Sequence, residues 1–111
     1  MIFAALDEAA QKGEFLLVQD GLLRYHVRRD GVWVIREILV LPFRRRAGLG
    51  TRLVMEVLRR SNGAVVQAKC PVQYESNTFW KAMGFTLMSE KDGINLWQRP
   101  SGLLRHGETP P

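Results

Sequence analysis

The run Val32 to Leu41 is apolar on both faces, with Trp33, Val34, Ile35, Ile38, Leu39, Val40 and Leu41 in one stretch. A strand with no polar side belongs in the middle of a sheet that is covered on both faces. Beyond the loop Pro42 to Ala47, Leu49, Leu53, Val54, Val57 and Leu58 share one helical face, and Arg52, Glu56, Arg59 and Arg60 share the other. That pattern predicts an amphipathic helix lying on the sheet and running to about Arg60. Ser61-Asn62-Gly63 stops it, and the apolar run Ala64 to Cys70 is expected to return parallel to the central strand through a right-handed crossover. A βαβ unit is therefore the framework around which the rest of the chain must fit.

The flanking segments read as antiparallel additions. Glu14 to Gln19 and Leu22 to Arg28 precede the central strand, separated by Asp20-Gly21 and followed by Asp30-Gly31, dipeptides suited to two-residue hairpin turns. Ile2, Phe3, Leu6, Ala9 and Ala10 recur at helical spacing before Gly13, which predicts a helix over residues 2 to 12. Pro71 opens a turn into a second helix near Ser76 to Met83. Phe85 to Glu90 and Ile94 to Arg99 form a last hairpin across Lys91-Asp92-Gly93. The expectation is an α/β fold with a mixed, mostly antiparallel sheet, one domain over residues 1 to 100, and a polar tail from 101 to 111.

Composition narrows the partners. The 111 residues are 46% hydrophobic and 24% charged, as in an ordinary globular domain. A single cysteine, Cys70, allows no internal disulfide, and no metal-ligand cluster stands beside it, so no metal and a cytoplasmic setting are expected. The apolar runs are far below the roughly 20 residues of a membrane-spanning helix, and the N-terminus lacks the pattern of a secretory signal. A net charge of +5 and a pI near 10.0 point to an anionic partner: nucleic acid, an acidic protein or a phosphorylated cofactor.

The loop before the amphipathic helix identifies where that anion would bind. Arg44-Arg45-Arg46-Ala47-Gly48-Leu49-Gly50-Thr51 places glycines and cations at a helix N-terminus. There the amide N–H groups point outward and the helix dipole favours negative charge, while glycine allows close backbone approach. The pattern lacks the Gly-Lys-Ser/Thr ending of a P-loop and the third glycine of a dinucleotide fingerprint, so neither ATP nor NAD is favoured.

These residues resemble the GNAT acyltransferase superfamily, whose acetyl-CoA loop reads Arg or Gln, two residues, Gly, any residue, then Gly or Ala. Arg45, Gly48 and Gly50 satisfy it, and Val40-Leu41-Pro42 matches the Val-x-Pro that tends to precede the loop. A second signature, Asn shortly before Phe-Tyr and then Gly-Phe, is similar to Asn77-Thr78-Phe79-Trp80 and Gly84-Phe85, with tryptophan replacing tyrosine. The likeness covers roughly residues 32 to 99. It implies an acetyl-CoA-dependent N-acetyltransferase that transfers the acetyl group directly to an amine, with the acceptor unidentified.

The resemblance also implies roles. The backbone of Ile38, Leu39 and Val40 would bind the pantetheine arm and polarise the thioester carbonyl. The amides of Arg45, Arg46, Ala47, Gly48, Leu49, Gly50 and Thr51 would cradle the pyrophosphate. Asn77, Phe79 and Trp80 would contact the cofactor, although an Asn near a helix start also caps helices. Glu37 stands where many relatives carry a general base; its alternative role is an ion pair with adjacent Arg36. Trp80 lacks the hydroxyl that protonates the departing thiolate, which leaves unassisted departure, or help from Tyr74, as alternatives. Cys70 reads as a small buried hydrophobe, and His26 and His106 as solvated. Two other functions are compatible with the sequence: a CoA-binding module without chemistry, and a nucleic-acid-associated domain using Arg24, Arg28, Arg29 and Arg44 to Arg46. The latter lacks the aromatic interleaving of base-stacking modules.

Overall fold

A computed structural model describes residues 14–41 and 48–100. The helix expected over 2 to 12, the segment Pro42 to Ala47 with its arginines, His106 and the rest of the tail from 101 lie outside the described residues. In chain order the elements are β1 (Phe15–Val18), β2 (Gly21–Val27), β3 (Trp33–Val40), α1 (Leu49–Ser61), β4 (Val65–Pro71), α2 (Ser76–Ala82), β5 (Thr86–Lys91) and β6 (Ile94–Pro100). The strands form one sheet in the order β1-β2-β3-β4-β6-β5. Only β3 and β4 run parallel; every other pair is antiparallel. The mixed sheet and its central βαβ unit are as the apolar pattern requires.

The turns refine the sequence reading. Lys91 pairs with Ile94, leaving Asp92 (φ 54°) and Gly93 (φ 76°) as the two central residues, the backbone of a type I′ hairpin. The first hairpin turns one residue earlier than expected: Val18 pairs with Gly21, so Gln19 and Asp20 make the turn, with Asp20 at φ 70°. Gly21 belongs to β2. A Cβ there would sit 3.0 Å from Leu49 Cδ2, so this glycine lets the first turn of α1 lie against the strand. The second hairpin, unlike the first, is not a two-residue turn. The Arg28 N–H donates to the Val32 carbonyl at 2.9 Å, closing a three-residue loop that ends at Gly31 with φ 87°.

In α1, Leu49, Leu53, Val54, Val57, Leu58 and Ser61 face inward, and the buried Ser61 hydroxyl donates to the Leu58 carbonyl at 3.0 Å. Asn62 (φ 45°) and Gly63 (φ 92°) end the helix in left-handed geometry. Residues of α1 and Trp80 of α2 join one core with Leu23, Ile35, Val66 and Ala68 of the sheet. Both helices therefore pack on the same sheet face. Among the described residues the other face is uncovered: Leu17, Leu22 and Leu39 lie side by side across β1, β2 and β3, with Leu17 71% and Leu39 46% exposed. No described element supplies the second cover that the apolar pattern predicts for β3. Among the described residues no helix is long and apolar enough to cross a membrane.

Candidate active site

The site begins where the sheet comes apart. β3 and β4 pair over three rungs, Trp33 with Val66, Val34 with Gln67 and Ile35 with Ala68. Past Ile35 and Ala68 each strand stays joined to its outer neighbour, β3 to β2 as far as Val40 and β4 to β6 as far as Pro71. The two inner edges thus part while both strands remain rigid. Because successive strand residues turn their N–H and C=O groups to alternate sides, part of the 36–40 backbone faces the gap instead of a neighbouring strand.

A bulge marks the parting point. Arg24 pairs with Glu37 and Tyr25 with Ile35, so Arg36 is the extra residue on β3, and a bulge re-aims the side chains beside it. The Glu37 carboxylate accepts from Arg24 Nε at 3.4 Å, with Glu37 29% and Arg24 22% exposed. Glu37 has an ion-pair partner, as one sequence alternative held, but it is Arg24 across the ladder rather than adjacent Arg36.

A cleft of about 570 Å³ occupies the gap. Ile35, Ile38 and Val40 line it from β3, Cys70 and Pro71 from β4, Gly50 from α1, and Phe79 and Trp80 from α2, with Arg36, Glu37, Lys69, Tyr74 and Ser76 completing the wall. Of the residues singled out by sequence, Glu37, Ile38, Val40, Gly50, Phe79 and Trp80 are thus brought together. Leu39 is not: its side chain projects from the face away from α1 and α2. Arg36, Lys69 and Ser76 were missed, since membership in the cleft depends on where β3–β4 pairing stops.

At the N-terminus of α1, Gly48 adopts φ 78°, and a Cβ placed on it meets nothing within 4 Å. The first turn carries no acidic residue and no side-chain cap. Among the described residues no side chain caps its outward amides, Leu49, Gly50 and Thr51 among them, and amides so placed suit an anion. The Leu49 side chain is core. A Cβ on Gly50 would approach the Phe79 ring at 3.7 Å, so the helix start and the cleft wall adjoin.

The Asn77 amide is committed inside the protein, contrary to the expected cofactor contact. Nδ2 donates to the carbonyls of Pro71 (2.9 Å), Val72 (3.3 Å) and Tyr74 (2.8 Å). Oδ1 accepts from Asn95 Nδ2 at 3.0 Å and Trp97 Nε1 at 2.9 Å. Nor does it cap α2, whose N-cap is Glu75; it braces the turn that presents Tyr74. Trp80 is buried in edge-to-face contact with Phe79 (5.1 Å) and Phe85 (5.0 Å). Among the described residues its indole N–H has no hydrogen-bond partner. Cys70 is buried as expected, its Sγ 3.1 Å from Ser76 Oγ. His26 is not simply solvated: Nδ1 lies 3.4 Å from a Glu14 carboxylate oxygen, and it is not among the residues lining the cleft.

A family model described as the acetyltransferase (GNAT) family matches residues 3–85. The chain belongs to this family. Solved GNAT structures share its fold. An acetyltransferase from Bacillus cereus superposes with a TM-score of 0.78 at 19% identity, over 90% of this chain and 78% of that one. A GNAT-family protein from Desulfovibrio desulfuricans gives 0.74 at 19% identity, covering 87% and 77%. The PaiA N-acetyltransferase of Thermoplasma acidophilum, solved with coenzyme A, gives 0.73 at 9% identity, covering 89% and 69%. No curated protein matches this GNAT chain in sequence.

Proposed function

We propose that the chain binds acetyl-CoA and transfers its acetyl group to an amine by direct attack. The observation that carries this reading is the parted β3–β4 pair: an apolar, aromatic-walled cleft that adjoins an uncapped helix N-terminus on one side and a carboxylate on the other. The residues present fit the co-substrate. Among the described residues Gly48 leaves open space at the start of α1 for a pyrophosphate, and the first turn of α1 carries no carboxylate. Ile38, Val40 and Phe79 offer an apolar channel for the pantetheine arm. Acetyl-CoA, when bound, supplies the activated thioester.

The amine attacks the thioester carbonyl, the C–N bond forms, and the C–S bond breaks to release CoA. β3 backbone N–H groups turned into the gap stabilise the carbonyl oxygen as it gains charge. The amine proton passes to Glu37 directly or through water. Trp80 forms an apolar wall and no proton donor, so sulfur departs as thiolate, which a thiol pKa of about 8.5 permits. Asn77 holds the Tyr74 turn and touches no reacting atom.

Two measurements on the full chain test this. Acetyl-CoA at 100 times its Kd should stabilise the fold by about 2.7 kcal/mol, read as a melting shift. Release of CoA thiol with a panel of amines should follow. Absence of any shift at millimolar acetyl-CoA overturns the binding site; a shift without transfer to any amine leaves a binding module.

A further inference from the structure

We propose that the acceptor carries a carboxylate beside its reacting α-amine, and that Arg36 and Lys69 hold it. This rests on the acetyl-transfer reading of the cleft. Lys69 lies between Ala68 and Cys70, which are 1% and 3% exposed under the helices, so strand alternation turns Lys69 to the face away from α1 and α2. Glu37 is on that face too, since its neighbour Ile38 packs into the core under the helices. Arg36 is the bulge residue between paired Ile35 and Glu37. The two cations thus border the cleft from opposite lips.

Their environment leaves them available. Among the described residues neither Arg36 nor Lys69 makes an ion pair or side-chain hydrogen bond, whereas Arg24, which faces Glu37 across the β2–β3 ladder, is committed to it. Among the described residues the mouth therefore carries more positive than negative charge, next to the one described carboxylate lining the cleft. A polyamine or a lysine-rich peptide is repelled there, and a carboxylate is attracted. Arg36 offers a planar fork that matches a carboxylate in two parallel hydrogen bonds, and Lys69 a point charge from the other side. The same field disfavours a protonated amine. The α-amine of a peptide, near pKa 7.7–8.0, needs little help to become the neutral nucleophile, while a lysine near 10.4 needs a great deal.

A free amino acid and a peptide that begins with Asp or Glu present this chemistry alike, and matched acceptors separate them. With the full chain and acetyl-CoA, kcat/KM is measured for glutamine against its α-amide, for peptides starting Asp or Glu against Asn or Gln, and for lysine peptides and polyamines. The carboxylate member of a pair should be favoured about tenfold or more, the scale of a charged hydrogen bond. Preference confined to the amino-acid pair assigns a small-molecule acceptor, and preference confined to the peptide pair a protein N-terminus; both support the proposal. Lys69→Glu and Arg36→Glu should each erase or invert that ratio, with Lys69→Gln and Arg36→Gln as milder versions and the acetyl-CoA melting shift confirming that each variant is folded. Equal rates within both pairs, or faster lysine and polyamine acetylation, overturn the anionic acceptor while acetyl transfer stands. Transfer to none of these acceptors overturns both.

Discussion

The two sides of the parted strands are built on opposite principles. On the helix side, Ile35, Ile38, Phe79 and Trp80 border the cleft while also forming or abutting the core, so their identities are fixed by the packing that holds the sheet to its helices. On the side away from α1 and α2, Arg36, Glu37 and Lys69 project from strands whose backbones are already secured by β2 and β6. A core side chain is constrained by volume, an exposed charge by what it meets in solution. In the proposed reaction the first side suits the co-substrate and the second the acceptor.

That contrast can be broken by experiment. The largest effect is expected from Gly48→Glu. It puts a carboxylate where an anion should sit and forces a side chain into left-handed geometry, which costs roughly 1–2 kcal/mol of stability. The acetyl-CoA melting shift should vanish while a cooperative transition remains; a preserved shift would mean that α1 is not the phosphate site. Next comes Trp80→Ala, expected to lose about 3–5 kcal/mol of stability as its edge-to-face partners lose contact. Trp80→Phe should keep most turnover. A large turnover loss in Tyr74→Phe with acetyl-CoA affinity intact would show that this exposed hydroxyl supplies the proton, against thiolate departure unaided.

Smaller again, Glu37→Gln should lower turnover by about 10²-fold, the lower range for a general base, and flatten the acid limb of the pH–rate profile. Its stability should hardly change, because partly exposed ion pairs contribute little. If Glu37→Gln and Arg24→Gln instead lower stability equally and spare turnover, Glu37 is structural and the charged side lacks its base. The smallest effect belongs to a carboxylate remote from the cleft. The Arg59 and Arg60 guanidinium groups hold Glu56 down to about 2 from 4.5. Its contribution is present above pH 4.5 and lost as pH falls through 2. Melting should show a slight loss in that window, absent in Glu56→Gln and reduced by salt, with no change in transfer kinetics.

How much of this was legible in the sequence follows the same division. Alternating and helical patterns located every described strand and helix within a residue or two, because those signals are local. The hairpin at Gln19-Asp20 was read one residue late, because Gly21 serves a contact with Leu49 that lies 28 positions along the chain. The helix-side residues Ile38, Gly50, Phe79 and Trp80 were found through motif and pattern. The charges were half found. Glu37 was visible, but Arg24, Arg36 and Lys69 come together only through the bulge and the end of β3–β4 pairing at Ile35 and Ala68. Asn77 looked like a ligand contact because its type and place suggested one; its five internal hydrogen bonds are visible only in three dimensions.

The three-rung seam between β3 and β4 has a consequence for how the molecule breathes. Residues 15–40 form one meander and residues 65–100 one hairpin-extended sheet, and no strand belongs to both. Each can gain its hairpin pairings from contacts near in sequence, while the seam must wait for closure over α1. Amides on either side should then exchange with deuterium as two separate families, the seam opening first. A molecule lodged between β3 and β4 would act as a staple across the two units and merge those families into one.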